Sequence, residues 1–170
     1  MRSTDPSTLR ITDMWKFKSD RSKKWYIVEM EHFDYNLVAI KFYCKASRLS
    51  KRKYSLMTND NEPRTIVYSC LELMRRYYMD DNTISFGFVA APDLDASKTK
   101  KIPNRRFNFY RRVVSNYFGT TTFEHVYDKG GQIYLLLNKS MIDSGNLRAQ
   151  NVVDNINNIY GREYSLPSKE

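Results

Sequence analysis

The stretch 83–118, TISFGFVAAPDLDASKTKKIPNRRFNFYRRVVSNYF, decides how this chain folds. Its first part, Thr83 to Ala91, sets Ile84, Phe86 and Phe88 on one side of an extended chain and Gly87 and Val89 on the other. A strand apolar on both faces belongs inside a sheet covered on both sides, and Pro92 stops it. From Ala96 the chain carries no acid and presents Lys98, Lys100 and Lys101, after which Pro103 and Asn104 mark a helix start. Phe107, Tyr110, Val113, Val114 and Tyr117 recur at helical steps and give that helix an inward stripe. A deep strand end, cationic charge and a tyrosine-bearing helix thus come together as the parts of a site for an anionic ligand.

Working upstream, Pro63 after Asn61 and Glu62 opens a helix, because the N–H that proline lacks has no intrahelical partner in the first turn. Ile66, Val67, Cys70, Leu71, Leu73, Met74, Tyr77 and Tyr78 form its wide apolar face, and Arg64, Glu72, Arg75 and Arg76 its outer one. Before it, Trp25 to Glu31 and Leu37 to Lys45 read as a hairpin interrupted at Phe33-Asp34-Tyr35-Asn36. Tyr54 to Thr58 reads as a third strand beside that hairpin. The first 24 residues read as an N-terminal extension with a short strand or a helical turn. Downstream, Phe123 to Tyr127 and Gln132 to Asn138 form a hairpin across Asp128-Lys129-Gly130-Gly131. A last helix is expected from about Gly145 to Tyr160, with Leu147, Val152, Val153, Ile156 and Ile159 inward, covering the sheet or a second copy of the chain.

Composition bounds the function classes. The chain has 170 residues, 41% hydrophobic and 14% aromatic, enough apolar mass for one domain with its own core. A net charge of +9 favours anionic partners. Cys44 and Cys70 lie in apolar stretches and make no disulfide framework, which points to a reducing cytoplasm. No segment approaches the roughly 20 apolar residues that cross a bilayer, and the N-terminus lacks a signal-peptide core, so no membrane role is expected. His32 and His125 sit in no metal-ligand spacing, and no GxSxG is present. Neither a metal nor a serine or cysteine nucleophile is expected.

The order strand, strand, strand, helix, strand, helix, strand, strand, with one appended helix, resembles the GNAT acetyltransferase superfamily. The resemblance covers Trp25 to Asn138, leaving 1–24 as an extension and 139–170 as an appended helix and tail. It implies an α/β (α+β) fold with a mixed, mostly antiparallel sheet flanked by helices. Two features carry it: the third strand passes directly into the long helix, and the later helix reads Asn104-x-x-Phe107-x-x-Tyr110 before an aromatic-glycine-aromatic close at Phe118-Gly119 and Phe123. The resemblance implies an N-acyltransferase using acetyl-CoA or another acyl-CoA on an amine substrate. Tyr110 would be the general acid, and Arg64, Thr65 and Asn104 would contact the cofactor.

The segment Asn59-Asp60-Asn61-Glu62-Pro63-Arg64 departs from that family. It has no glycine, Pro63 removes one donor, and two carboxylates stand where backbone N–H groups should approach a pyrophosphate. A degenerate member with a lost or changed cofactor is therefore an open alternative, and Tyr110 also reads simply as an inward helical aromatic. No general base is assigned to Glu29, Glu31, Asp93 or Asp95. The other alternative is a non-catalytic binding protein on the same fold, a mobile-element accessory factor for example, that grips nucleic acid or an acidic protein. Two acid-free blocks support it: Tyr35 to Asn59, and Ala96 to Phe123 with Lys98, Lys100, Lys101, Arg105, Arg106, Arg111 and Arg112.

Overall fold

Alternation of apolar and polar residues through Ile11 to Cys44 builds an antiparallel meander, and two amphipathic crossovers extend it into one mixed sheet. The computed structural model describes residues 2–4, 10–54, 62–89, 105–127 and 133–160. In chain order the elements are β1 (Arg2–Thr4), β2 (Ile11–Lys18), β3 (Trp25–Phe33), β4 (Leu37–Cys44), α1 (Pro63–Asp80), β5 (Ser85–Val89), α2 (Arg105–Phe118), β6 (Phe123–Tyr127), β7 (Ile133–Asn138), α3 (Lys139–Asp143) and α4 (Ala149–Tyr160). The seven strands lie in the order β1-β2-β3-β4-β5-β7-β6. Pairing is antiparallel except between β4 and β5, which run parallel. The fold is α+β, with a mixed, mostly antiparallel sheet between helices.

Helices cover the two faces separately. On one, α1 and α2 bury Val67, Leu71, Met74, Phe107 and Val114 against Val28, Met30, Val38, Phe86 and Leu136. On the other, α4 and the residue before it bring Leu147, Val152, Val153 and Ile156 onto Leu37, Leu135 and Leu137. The C-terminal helix therefore covers this chain's own sheet. Burying each such aliphatic side chain contributes about 1.5–3 kcal/mol. β5 lies between β4 and β7, as its two-sided apolar pattern requires.

Three expectations are corrected. β2 is a full strand, registered against β3 from Thr12↔Glu31 to Lys18↔Trp25, so 11–18 belongs to the sheet. The β3–β4 hairpin is flanked by β2 and β5, Tyr54 ends a run of turns that follows a single 3-10 turn at Lys45–Ser47, and 55–58 lie outside the described residues. The strand that leads toward α1 is thus β4. Finally, the last helix starts at Ala149 rather than near Gly145, and a short unexpected helix precedes it: α3 is capped by Asn138, whose side chain accepts from Ser140 N–H, and Gly145 at φ 76° turns the chain before α4. Only glycine occupies that left-handed conformation without cost.

Strand and helix directions gather several chain ends at one edge of the sheet. β4 and β5 run parallel, so their C-terminal ends lie together. α1 begins beside the β2–β3 turn, where Ser19 meets Glu62, and ends where Asn36 donates to Asp81. α2 also starts at the end where β5 finishes, because Phe107 packs on Phe88 and Tyr134. The carboxyl ends of the two parallel strands and the N-termini of both crossover helices therefore share the position where open sheets of this kind bind ligands.

Candidate functional site

The parallel pairing of β4 and β5 is short. It runs Leu37↔Ser85, Val38↔Phe86 and Ala39↔Gly87, and among the described residues no pair continues it. β4 nevertheless extends to Cys44 and β5 to Val89, each still paired on its other side, Ile40 to Cys44 with β3 and Phe88 and Val89 with β7. Each strand stays with its outer neighbour, and the pairing between the two stops at Ala39 and Gly87 among the described residues. Among the described residues, main-chain groups beyond that point have no strand partner between β4 and β5 like the one at Leu37 to Ala39. Backbone donors and acceptors strongly require partners, so an extended ligand with amide groups suits the opening.

Tyr110 spans that point on the α2 side. Its ring centroid is 6.0 Å from that of Phe42 on β4 and 5.6 Å from that of Phe88 on β5, both in edge-on geometry. The helical stripe that places Phe107 and Val114 in the core thus carries Tyr110 over the point where β4–β5 pairing ends among the described residues. It is half-buried and packs against the main core. Behind it Tyr134 stacks on Phe88 at 5.1 Å, and burial pushes its phenol up to about 12. The Tyr134 hydroxyl meets His125 Nδ1 at 2.5 Å, while His125 Nε2 faces the Gly119 carbonyl. A carbonyl only accepts, so Nε2 carries a proton toward Gly119, and Nδ1 pairs with the Tyr134 hydroxyl.

The first turn of α1 forms the adjoining rim. Arg64 and Thr65, the expected cofactor contacts, are exposed there. Glu62 does not cap the helix with its side chain. Its carboxylate, 4% exposed, accepts from the Ser19 hydroxyl, whose oxygen also accepts from the N–H groups of Arg21 and Ser22 at 3.2 Å. The positive end of the α1 dipole favours that buried charge. The carboxylate expected to repel an anion is thus turned inward to the β2–β3 turn. Asp60 lies outside the described residues, as do Lys98, Lys100, Lys101 and Asn104. Arg105 and Arg106 open α2, their side chains outside the described residues. Arg111 and Arg112 are exposed on α2, with the Arg111 guanidinium 5.2 Å from the Tyr127 ring centroid.

Two polar clusters are invisible in the sequence because their members are far apart along it. Asp13 accepts from Arg2 at 2.8 Å, from His32 Nε2 at 3.0 Å and from the Tyr77 hydroxyl at 2.9 Å, while Trp15 Nε1 donates to Tyr77 at 3.1 Å. The Arg2 guanidinium, with the His32 and Tyr77 donors, holds the Asp13 carboxyl far below its ordinary value, and burial pushes Tyr77 up to about 12. This network fastens β2 to α1 and contains no nucleophile. On the opposite face Glu29 binds Lys53 at 3.2 Å and Tyr54, and Glu31 binds both Arg10 and Lys41. Glu29 and Glu31 are thus ion-paired rather than solvated. Cys44 and Cys70 are buried, and burial pushes the Cys70 thiol up to about 12.

Among the described residues no group of His, Cys, Asp or Glu could hold a metal ion, and no helix is long and apolar enough to cross a membrane. No protein-family model, curated protein or solved structure matches this chain.

Proposed function

We propose that this protein is a GNAT-like N-acyltransferase that moves an acyl group from acetyl-CoA, or another acyl-CoA, to an amine. The observation that carries the proposal is that, among the described residues, pairing of β4 with β5 ends at Ala39 and Gly87, while Tyr110 touches both strands beyond that point. The sheet order, the single parallel pair and the two crossover helices on one face also support the likeness. The residues present fit an acyl-CoA. Its pantetheine arm carries amides suited to the strand edges at Ile40 to Cys44 and at Phe88 and Val89. Its phosphates suit the outer rim of the α1 N-terminus with Arg64 and Thr65, and Asn104, the residue before α2 in the sequence, is proposed as a further contact.

When bound, the thioester supplies an activated acyl carbon. The protein's task is to hold that carbon in the opening and to handle the leaving group. Tyr110 would donate its phenolic proton to the departing sulfur, and Phe42 and Phe88 would keep water from that side. The amine's released proton leaves to solvent or to a base outside the residues assigned here. Two buried thiols suit a reducing compartment, and the cytoplasm is the location proposed.

A thermal-shift titration tests the reading. Acetyl-CoA at about 100 times its Kd stabilises by about 2.7 kcal/mol, which for a chain of this size raises Tm by about 5–10 °C. No rise at millimolar acetyl-CoA overturns it.

A further inference from the structure

The fold collects a second anionic-ligand surface on the sheet face opposite α1 and α2. Lys16 and Lys18 on β2 and Trp25 on β3 share that face, since Lys16↔Ile27 and Lys18↔Trp25 are register pairs and Ile27↔Tyr43 continues it to β4. All three are exposed, and the Lys16 and Lys18 amines lie 5.6 and 6.0 Å from the Trp25 ring centroid. The β2–β3 turn adds Arg21, Lys23 and Lys24 at the same end of the sheet. The run of turns after β4 folds back onto the same face, fixed by Lys53 4.1 Å from the Tyr43 ring centroid and by the Tyr43–Tyr54 edge contact at 5.6 Å. It leaves Lys45, Arg48, Lys51 and Arg52 exposed. α4 packs farther along, against Phe33 and Leu37, and leaves this end uncovered.

The acids on this surface are already paired. Glu29 is held by Lys53 and Tyr54, and Glu31 by Arg10 and Lys41, leaving Asp20 as the exposed acid among the described residues of the β2–β3 turn. Short segments from β2, the β2–β3 turn, the start of β3 and the turns after β4 therefore present an almost uniformly cationic surface with a half-exposed tryptophan. Only the last of them is visible as an acid-free block in sequence. The α2 arginines lie over the other face, so the two sequence blocks do not form one surface.

We propose that this face binds single-stranded nucleic acid, its phosphates along the lysines and arginines and a base on Trp25. A cationic strip with an accessible aromatic ring is the recognition chemistry of single strands. An anionic membrane surface is the competing partner, since Leu49 is also exposed in these turns, and the vesicle arm of the test separates the two. The proposal does not rest on acyl-CoA binding, because no residue of the β4–β5 opening belongs to it.

The test is fluorescence anisotropy of a labelled oligo-dT of about 20 nucleotides against the full chain, from about 50 to 300 mM salt. With about six phosphates engaged, log K falls with log salt at a slope of about −4. Two charge-reversal proteins, Lys16→Glu with Lys18→Glu and Arg48→Glu with Arg52→Glu, each weaken binding at least tenfold and flatten the slope, with thermal unfolding unchanged. Trp25→Ala weakens it about tenfold. Tyr110→Phe leaves it unchanged. No binding at 50 mM salt, unaltered affinity in both charge-reversal proteins, or binding to phosphatidylserine vesicles without binding to oligo-dT overturns the proposal. A Trp25→Ala protein as tight as the parent refutes the single-strand assignment.

Discussion

Gly87 is the last residue of β5 paired to β4, and replacing it with alanine tests how tightly the sheet is packed where that pairing ends. A Cβ there would sit 3.0 Å from Leu135 Cδ2 and 3.7 Å from both Leu37 Cδ1 and the Tyr134 carbonyl. Leu135 and Leu37 are each 1% exposed, so neither has space to withdraw. Overpacking of this kind costs about 1–3 kcal/mol. The backbone is not left-handed at Gly87, so alanine also gains about 0.4–1 kcal/mol by restricting the unfolded chain. The balance is a loss of about 1 kcal/mol, which lowers Tm by about 2–4 °C for a domain of this length. Urea denaturation followed by circular dichroism measures it. Leu135→Val removes the offending methyl, so the double variant should be less destabilised than the sum of the singles by at least about 0.5 kcal/mol. A Gly87→Ala protein as stable as the parent, or strictly additive effects with Leu135→Val, refutes the packing argument.

Three further outcomes are expected. Ser19→Ala takes a donor from the buried Glu62 carboxylate and an acceptor from the N–H groups of Arg21 and Ser22, and should cost about 1.5–3 kcal/mol in denaturant titration. Asp13 has a folded-state pKa depressed by Arg2, His32 and Tyr77, so its stabilisation is complete above the unfolded value near 4 and is lost as pH falls below it. Asp13→Asn should therefore reduce stability at pH 7 and flatten the decline between pH 4 and 2. If acetyl transfer is detected, Tyr110→Phe should lower kcat about 10²- to 10⁴-fold, the range for a general acid, with little change in acetyl-CoA affinity.

Where the sequence is legible, the physics is local. Pro63 fixes the start of α1, the two-sided apolar run puts β5 inside the sheet, and the helical stripe from Phe107 to Val114 sets how α2 lies, whereas Tyr117, expected inward, is exposed. Tyr110 is legible for that reason. Its position over the end of β4–β5 pairing is not, because which strand sits beside β5 is a long-range matter. Tyr54 to Thr58 has the residue types of a strand, yet Tyr54 serves to cover Tyr43 and bind Glu29. β2 is hard to see since its polar residues are held by ion pairs and rings rather than by an apolar face: Asp13 in its network, Lys16 and Lys18 about Trp25. The charge of Glu62 is visible, but not that Ser19, 43 positions away, turns it inward. α3 is obscured because Asn138 ends β7 and caps that helix in one step.

The central claim, that the opening between β4 and β5 receives the pantetheine arm, is tested most directly by amide hydrogen exchange with and without saturating acetyl-CoA. Amides beyond the last paired residues, at Ile40 to Cys44 and at Phe88 and Val89, have the most protection to gain from an extended ligand laid between the strands. Slowed exchange centred on those two segments and on Arg64 and Thr65, with the α4 side unchanged, is the predicted result. Unaltered exchange in both strand segments at ligand concentrations that saturate any binding, or protection confined elsewhere in the molecule, contradicts the claim.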